Sequence, residues 1–200
     1  AVASLVLSVA PKAKLVIAEV LDDKGMGDPK RTAQGIRYCI NKKCDIINCS
    51  IAGPMDNELE DAVNEAYSKG IIVVAATGND GKNMLLYPAS YLNCLSVGSI
   101  NKSLEVSPFS NYNVFMTMVA PGEDIIFDIN GEKIKDSGTS FSAPLVSGTL
   151  ALLKEKLKEE LGRKPEYSEL YNELIKNCVI ANNIDMIKQG HGCLDFSTKY

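Results

Sequence analysis

Apolar and polar residues alternate along the first part of the chain with two different periods. Short runs of β-branched and other apolar residues predict buried strands at 13–21, 44–52 and 71–78. Between them, apolar residues recur every three or four positions, which predicts helices at 29–42 and 57–70. Strands that alternate with helices in this way are typical of a parallel sheet with right-handed crossovers. The pattern therefore predicts an α/β fold.

The rest of the chain adds strands and two long helices. Further strand-like runs lie at 94–100 and 114–122, and Asn130-Gly131 is a strong signal for the turn of a hairpin. Helices are predicted from Thr139 to Leu161 and from Pro165 to Cys178. Internal repeats and low-complexity linkers are absent from the sequence. Nothing in the pattern therefore divides the chain into separate units.

Composition limits the classes of function. The 200 residues are 46% hydrophobic and 23% charged, which is enough apolar material for one core. We therefore predict one domain over residues 1–200, a three-layer α/β fold with a doubly wound, mostly parallel sheet. The net charge of −4 gives no reason to expect nucleic-acid binding. No run approaches the roughly 20 apolar residues of a membrane-spanning helix, so we expect no membrane partner.

The cysteines and the start of the chain bear on its location. Six cysteines lie in mostly apolar surroundings, namely Cys39, Cys44, Cys49, Cys94, Cys178 and Cys193. Their spacing matches neither a disulfide scaffold nor a CxxC zinc site, so we interpret them as buried, reduced thiols. The chain starts with Ala and lacks the basic start of a signal peptide, so we expect a processed product or a fragment. These features favour the cytoplasm, although the localisation stays open.

Ligands of parallel α/β sheets gather at the carboxyl ends of the strands, where "NCSIAGP", "ATGNDGKN" and "GTS" are predicted to lie. A serine at the start of a helix, such as Ser140, has its backbone N–H beside the positive end of the helix dipole, which suits a developing oxyanion. Asn79, in a glycine-flanked loop, could add a side-chain donor. Each feature has an ordinary alternative, since such residues are common in helix caps and turns.

The stretch "GTSFSAPLVSGTLALL" resembles the serine motif of the subtilisin-like serine proteases, with Leu145 where the family usually has His. Further segments follow in the family's order, namely "APKAKLVIAEVLDDKGMG", "DIINCSIAGP", "GIIVVAATGNDG", "YPAS", "VSPFSNYN" and "VAPGEDI". These matches cover about residues 1–150, and "GHGCLDFSTKY" resembles the family's closing segment. The chain is thereby identified as the carboxyl-terminal two thirds of a subtilisin-like catalytic domain, with the N-terminal part of the fold absent.

The resemblance implies an acyl-transfer site. Ser140 would be the nucleophile, and Asn79 with the Ser140 backbone N–H would bind the tetrahedral oxyanion. The implied edge strand that pairs with the substrate backbone comprises Ser50, Ile51, Ala52 and Gly53, with Ala52 where the family usually has Gly. The implied pocket for the side chain before the scissile bond is lined by Ala75, Ala76, Thr77, Gly78, Tyr87 and Pro88. Its neutral walls suggest an apolar or broad preference.

The sequence shows no base for the nucleophile. The only histidine, His191, falls in the closing segment, which in the family is far from catalysis. Asp22 and Asp23 stand in a loop that has no catalytic role in the family. The start "AVA" resembles the end of the family's His-Gly-Thr-x-Val-Ala motif, so the His and Asp of the triad are expected on a missing or separate upstream segment. Without them, turnover should fall about 10⁶-fold, so the isolated chain should be nearly inactive.

Three functions therefore stay open. The leading one is a serine endopeptidase that is complete only with the upstream segment. The second is an inactive pseudoprotease or peptide-binding module. The third is a nucleotide-binding protein, prompted by "GNDGKN", although GxGxxG and GxxxxGK[ST] are both absent. We expect a peptide or protein substrate as partner, no cofactor, and no metal, because no acidic insertion replaces the calcium loop of many secreted members.

Overall fold

A computed structural model of the chain describes residues 1–129, 131–181 and 183–195. Its strands are β1 Ile46–Cys49, β2 Ile72–Ala76, β3 Cys94–Ile100, β4 Met118–Pro121, β5 Ile125–Ile129, β6 Glu132–Asp136, β7 Cys178–Val179 and β8 Cys193–Leu194. Its helices are α1 Val2–Val9, α2 Pro29–Asn41, α3 Asn57–Ser68, α4 Thr139–Leu161, α5 Tyr167–Lys176 and α6 Met186–Gln189.

The main sheet has six strands in the order β1-β2-β3-β4-β8-β7. The first five run parallel, and only β7 is antiparallel to its neighbour. Strands β5 and β6 form a separate antiparallel hairpin. The sheet is buried on both faces, because every residue of β2 and β3 is buried. The predicted mostly parallel sheet is confirmed.

Helices cover both faces of this sheet. One apolar core lies between the sheet and the pair α2 and α3, and it includes Ile36, Val63 and Val73. A second core lies between the other face and helices α4 and α5, and it includes Leu95 and Leu150. The order helix, sheet, helix gives the three predicted layers. No helix among the described residues is both long and apolar enough to cross a membrane.

Helix α4 is the central helix of the second core, and it begins and ends as predicted. It starts after Gly138 with the small residues of "GTSFSA" and contacts all of β1 to β4. It ends at Gly162, whose φ of 67° is the left-handed conformation that glycine adopts without strain. The small residues of its first two turns allow the helix to approach the strand ends closely. The start of α4 is therefore fixed against the carboxyl edge of the sheet.

The strand predicted at 13–21 is wrong. These residues form no regular structure, and the sequence "LVI" at 15–17 is exposed, with Ile17 at 68%. Only Ala18 packs against the first core, and Val20 lies against Gly35 of α2. An apolar run forms a strand only where another strand offers hydrogen bonds, and no described strand runs beside this segment. Its sequence is that of a strand, but its partner is not among the described residues.

Other strand predictions differ in extent. The run at 44–52 forms a strand only over β1, and the run at 114–122 only over β4. The predicted hairpin occurs as β5 and β6, but Asn130 of its turn lies outside the described residues. The C-terminal end of the predicted closing segment, residues 196–200, lies outside them as well.

Candidate active site

The predicted site residues meet at the carboxyl edge of the parallel strands. The loop after β1 carries Ser50, the loop after β2 carries Asn79, and α4 places Ser140 in its first turn. The backbone N–H of Gly138 donates to the carbonyl of Gly122, which directly follows β4, at 2.7 Å. Three strand ends and one helix start therefore meet, as expected for a ligand site in a parallel sheet.

The first turn of α4 leaves one backbone donor available. Thr139 N–H donates to Asn79 Oδ1 at 2.9 Å, and Phe141 N–H donates to the Gly138 carbonyl at 3.0 Å. Within the described part of the chain, Ser140 N–H has no such partner, and Ser140 is half-buried. The N-terminal N–H groups of a helix carry a partial positive charge. Ser140 thus places its hydroxyl beside an available donor in a field that favours an anion.

The side-chain amide of Asn79 is held in one orientation. Its Oδ1 accepts from both Thr139 N–H and Thr139 Oγ1–H at 2.9 Å each. Thr139 Oγ1 in turn accepts from Gly78 N–H at 3.2 Å. Because two donors engage the oxygen, the Nδ2 group faces away from Thr139, and a Cβ added at Gly138 would lie 3.3 Å from it. Asn79 is exposed, so this side chain, with its oxygen held by Thr139, is open to solvent.

The loop that carries Asn79 is braced by Asn111, a residue to which the sequence assigned no role. Asn111 is fully buried. Its Oδ1 accepts from the N–H groups of Asp80 and Lys82 at 2.9 and 3.1 Å, and its Nδ2 donates to Asp80 Oδ2 at 3.0 Å. The family-like stretch "VSPFSNYN" contains it, which was the signal available. Thr139 and Asn111 together fix the position of Asn79.

The predicted substrate-binding strand is only partly a strand. Residues 50–52 continue β1 without regular pairing, and Ala52 is exposed. Among the described residues, no backbone group bonds to the N–H or C=O of Ile51 or Ala52. Gly53 differs, because its N–H and C=O both bond to Tyr87 at 2.9 Å. The backbone groups open to an extended peptide are therefore those that precede Gly53.

The residues predicted to line the pocket do not all share one face. The side chain of Ala75 packs in the first core, on the side where Tyr87 lies, whereas Ala76 packs in the second core against α4. Thr77 is 1% exposed, and its Oγ1 finds no partner within the described residues. Pro88 is buried and follows Tyr87 through a cis peptide bond.

Leu86 lies beside Gly78, one of the predicted pocket residues, and was missed by sequence reasoning. A Cβ added at Gly78 would lie 2.6 Å from Leu86 Cδ1, so the leucine side chain covers the Gly78 backbone. Gly78 also has a φ of 100°, which few other residues adopt. Leu86 therefore occupies part of the space beside the loop that leads to Asn79.

His191 lies at the opposite end of the sheet from Ser140. Its backbone N–H donates to the carbonyl of Thr117, which directly precedes β4, whereas Gly122 at the other end of β4 bonds to Gly138. Five residues of extended chain span about 16 Å. Asp22 is also engaged elsewhere, because its Oδ1 accepts from the N–H groups of Lys24 and Met26 within its own turn.

The six cysteines are all free thiols, and three of them are buried. Burial raises the pKa of Cys39 to about 11 and that of Cys49 to about 12. Thiolates, not thiols, act as nucleophiles and metal ligands, so such cysteines are inert at neutral pH. No group of three or more His, Cys, Asp or Glu residues in the described ranges is arranged to hold a metal ion.

Comparison with known sequences identifies the family. The sequence profile described as the subtilase family matches residues 2–192. The chain belongs to the subtilase family. This subtilase chain is similar to the major intracellular serine protease of Bacillus subtilis strain 168, with 41% identity over 86% of the chain and 56% of the relative. It is equally similar, at 41% identity, to the intracellular serine protease of Paenibacillus polymyxa, over 94% of the chain and 60% of the relative.

Solved structures show the same fold. A lanthipeptide protease superposes on 96% of the subtilase chain with a TM-score of 0.85 at 23% identity, and the chain covers 72% of it. A prenylagaramide maturation protease superposes on 87% with a TM-score of 0.80 at 32% identity, and the chain covers 67% of it. The predicted family and fold class are thus confirmed. The subtilase chain spans little more than half the length of these two curated relatives, at 56% and 60%.

Proposed function

We propose that the chain carries the nucleophile and the oxyanion hole of a serine endopeptidase. The observation that supports this best is at the start of α4, where Ser140 N–H has no partner within the described residues and the Oδ1 of Asn79 is held by Thr139, the residue directly before Ser140. A helix cap alone would not need an asparagine whose oxygen is fixed and whose amide faces solvent. Membership of the subtilase family supports the same chemistry.

The reaction follows from these groups. Ser140 Oγ adds to the carbonyl carbon of a peptide bond while its proton passes to a base. The carbonyl oxygen gains a negative charge, which Ser140 N–H and Asn79 Nδ2–H stabilise. The tetrahedral intermediate then expels the amine, which takes up the proton, and an ester on Ser140 remains. Water hydrolyses this ester and restores the hydroxyl.

The base is proposed to lie on a segment outside residues 1–200. His191 lies too far from Ser140 to accept its proton directly. Two features of the described residues support a missing neighbour: β1 is an edge strand that pairs only with β2, and residues 13–21 form an apolar, partly exposed segment without regular structure. An open strand edge beside exposed apolar side chains is a typical place for another strand to bind. A segment with a strand, a His and an Asp would complete both the fold and the triad.

A fluorophosphonate probe, which labels only activated serines, tests this proposal. The gene sequence upstream of Ala1, or a separately encoded segment with the triad His and Asp, is expressed together with the chain. We expect rapid labelling at Ser140 with the segment and almost none without it. The Ser140→Ala variant, with the same segment, is the matched control and should not react. Absence of labelling in the complete form would refute the proposal.

A peptide-binding module that cleaves nothing is the second candidate. It is favoured by the available backbone groups of Ile51 and Ala52 together with the distant position of His191. In that case the complete form would bind an extended peptide equally well with Ser140 or with Ser140→Ala, and no product would accumulate. Product formation that Ser140→Ala abolishes would decide for the endopeptidase.

An intracellular location is part of the proposal. It is supported by two relatives described as intracellular serine proteases and by the six free thiols of this chain. Fractionation of the source cells, with an antibody against the chain, would test it. Detection in the culture medium of unlysed cells would contradict it.

A further inference from the structure

Helix α4 contains a proline whose position affects the nucleophile directly. In an α-helix the carbonyl of each residue accepts from the N–H four positions later. The residue four positions after Ser140 is Pro144, which has no N–H. The helix therefore cannot provide its usual donor to the carbonyl of Ser140.

A side chain from another element supplies the missing hydrogen bond. Ser50, in the loop after β1, donates its hydroxyl to the Ser140 carbonyl at 2.8 Å. The Ser50 oxygen in turn accepts from Asn48 Nδ2 at 2.9 Å. Asn48 Oδ1 accepts from Ser147 Oγ, which returns to α4, at 3.1 Å. The residues Ser147, Asn48 and Ser50 thus form a chain of hydrogen bonds, the serine relay, that ends on the Ser140 carbonyl.

From Asn48 to Ser140 the relay runs in one direction. A hydroxyl has one hydrogen, and an amide has donors on its nitrogen and none on its oxygen. Asn48 Oδ1 lies 3.1 Å from Ser147 Oγ, and Asn48 Nδ2 lies 2.9 Å from Ser50 Oγ. The single hydrogen of Ser147 is shared between Asn48 Oδ1 and the Ala143 carbonyl, which is 3.0 Å away. Ser50 therefore receives a hydrogen from Asn48, and its own hydrogen is left for the Ser140 carbonyl. If the amide turned over, its oxygen would face Ser50, whose hydrogen would then point away from Ser140.

We propose that Asn48 and Ser147 are positioning residues which, through Ser50, fix the backbone of Ser140 and so the direction of its hydroxyl and its N–H. Neither residue has to touch substrate for this role. Ser147 is buried in the third turn of α4, and Asn48 lies within β1. The inference rests on the proposed function, since it is the geometry of a nucleophile and its oxyanion donor that the relay fixes.

The decisive variant is Asn48→Asp, which keeps size and shape but replaces the donor that faces Ser50 by an acceptor. Ser50 would then donate to the carboxylate, and the Ser140 carbonyl would lose its partner. In the complete form with the upstream segment, we expect the rate of fluorophosphonate labelling and kcat on a peptide to fall about tenfold, with KM little changed. Ser147→Ala should act in the same direction but less, because the Asn48 amide becomes free to turn.

A rescue separates this role from a general loss of structure. Pro144→Ala restores an N–H four positions after Ser140, so Asn48→Asp combined with Pro144→Ala should regain most of the lost rate. Thr149→Val is the matched control, because its hydroxyl bonds only back to the Leu145 carbonyl of the same helix. It should leave the rate unchanged. Wild-type rates in Asn48→Asp, or no recovery on adding Pro144→Ala, would overturn the proposal.

A measurement that does not depend on catalysis distinguishes a failure of the serine relay from a failure of the proposed endopeptidase function. Ser-Phe occurs once in the sequence, at 140–141, so ¹³C-carbonyl serine with ¹⁵N-phenylalanine labels that one peptide group in an NMR spectrum. Asn48→Asp should shift the Ser140 carbonyl resonance, and Pro144→Ala should reverse the shift. An unchanged resonance would refute the relay even if labelling is normal. A failure of the wild-type complete form to label, with these shifts present, would refute only the proposed function.

Discussion

Two neighbouring regions of the molecule differ in how fully their groups are bonded. At the start of α4, Asn79, Thr139 and Asn111 are held by hydrogen bonds to one another or to the backbone. At the side of the sheet, β1 has an open edge, and residues 13–21 expose an apolar run that no described strand pairs with. The polar groups at the start of α4, the complete region, find their partners within the chain. The edge of β1 and residues 13–21, the open side, present apolar residues and strand hydrogen-bonding groups that no described segment covers.

The difference suggests that oxyanion binding and proton transfer depend on different parts of the complete protein. The groups that would hold an oxyanion depend only on residues of this chain, so they should keep their arrangement whether or not another segment is present. The groups that would move a proton depend on what binds at the open side. The two regions can therefore be tested separately, through the chemistry of the first and the association of the second.

Addition of the segment with the triad His and Asp should have the largest effect, because it tests whether the open side of the sheet receives the missing base. Because a serine without its base loses nearly all the benefit of the triad, peptide hydrolysis should rise about 10⁶-fold when the segment binds. Product formation measured against segment concentration checks this, and a segment whose His is replaced by Ala is the control. Equal rates with both segments would show that the open side does not provide the base.

Asn79→Asp tests the oxyanion-binding role proposed for the start of α4. The new carboxylate keeps the acceptor for Thr139 N–H but removes the amide donor and adds a negative charge. In the complete form, kcat should fall at least about 10²-fold to 10³-fold while the thermal midpoint changes little. Asn79→Ala is the companion variant, because it should also lose about 1 kcal/mol of stability with the hydrogen bonds from Thr139. A small effect of Asn79→Asp on kcat would contradict the oxyanion role.

Ile17→Lys tests whether the exposed apolar residues of 13–21 bind the upstream segment. The residue is 68% exposed, so the free energy of unfolding of the chain alone should change by no more than about 0.5 kcal/mol. Binding of the segment should weaken by about 30-fold, since the charge would have to be buried in the interface. Titration of labelled segment measures this, with Leu92→Lys, exposed elsewhere at 85%, as control. Equal weakening by both variants would contradict a specific role for residues 13–21.

Leu86→Ala has a smaller expected effect, on substrate choice. Removal of the side chain that covers Gly78 should enlarge the adjacent pocket. The preference for a large over a small side chain before the scissile bond should increase about tenfold in kcat/KM. A set of peptides that differ only at this position measures the ratio, and Leu85→Ala, at the neighbouring exposed residue, should leave it unchanged.

Alkaline pH should lower the stability of the fold through Cys49, which ends β1. Burial raises the pKa of this thiol from 9.0 to about 12, so the folded state keeps its proton longer than the unfolded state does. Stability is therefore unaffected below about pH 9 and falls as the pH rises from there towards 12. Urea unfolding at pH 7 and pH 10 measures the change, which should be smaller in Cys49→Val. An equal change in both proteins would exclude the thiol as its cause.

The sequence predicted the complete region better than the open one. Helix α4 was placed correctly because a Gly-Thr-Ser start and Gly162 at the end are local signals. The strand at 13–21 was wrong because a strand needs a partner, which periodicity cannot report. The orientation of Asn79 by Thr139, and the opposite faces of Ala75 and Ala76, depend on contacts between distant segments. The roles of Ser140 and Asn79 and of the pocket residues remain predictions.

The pair of hydrogen bonds between Gly53 and Tyr87 limits the length of backbone that is open for pairing after β1. An extended peptide that lies along residues 50–52 meets a position where the backbone groups are already in use. At about 3.3 Å per residue, the open stretch is about 10 Å long. If a substrate pairs with residues 50–52 as predicted, its backbone pairing on this strand would end after roughly three residues, whatever their sequence. Discrimination among longer peptides would then depend on contacts with their side chains, because the Gly53–Tyr87 pair limits the backbone pairing to this length.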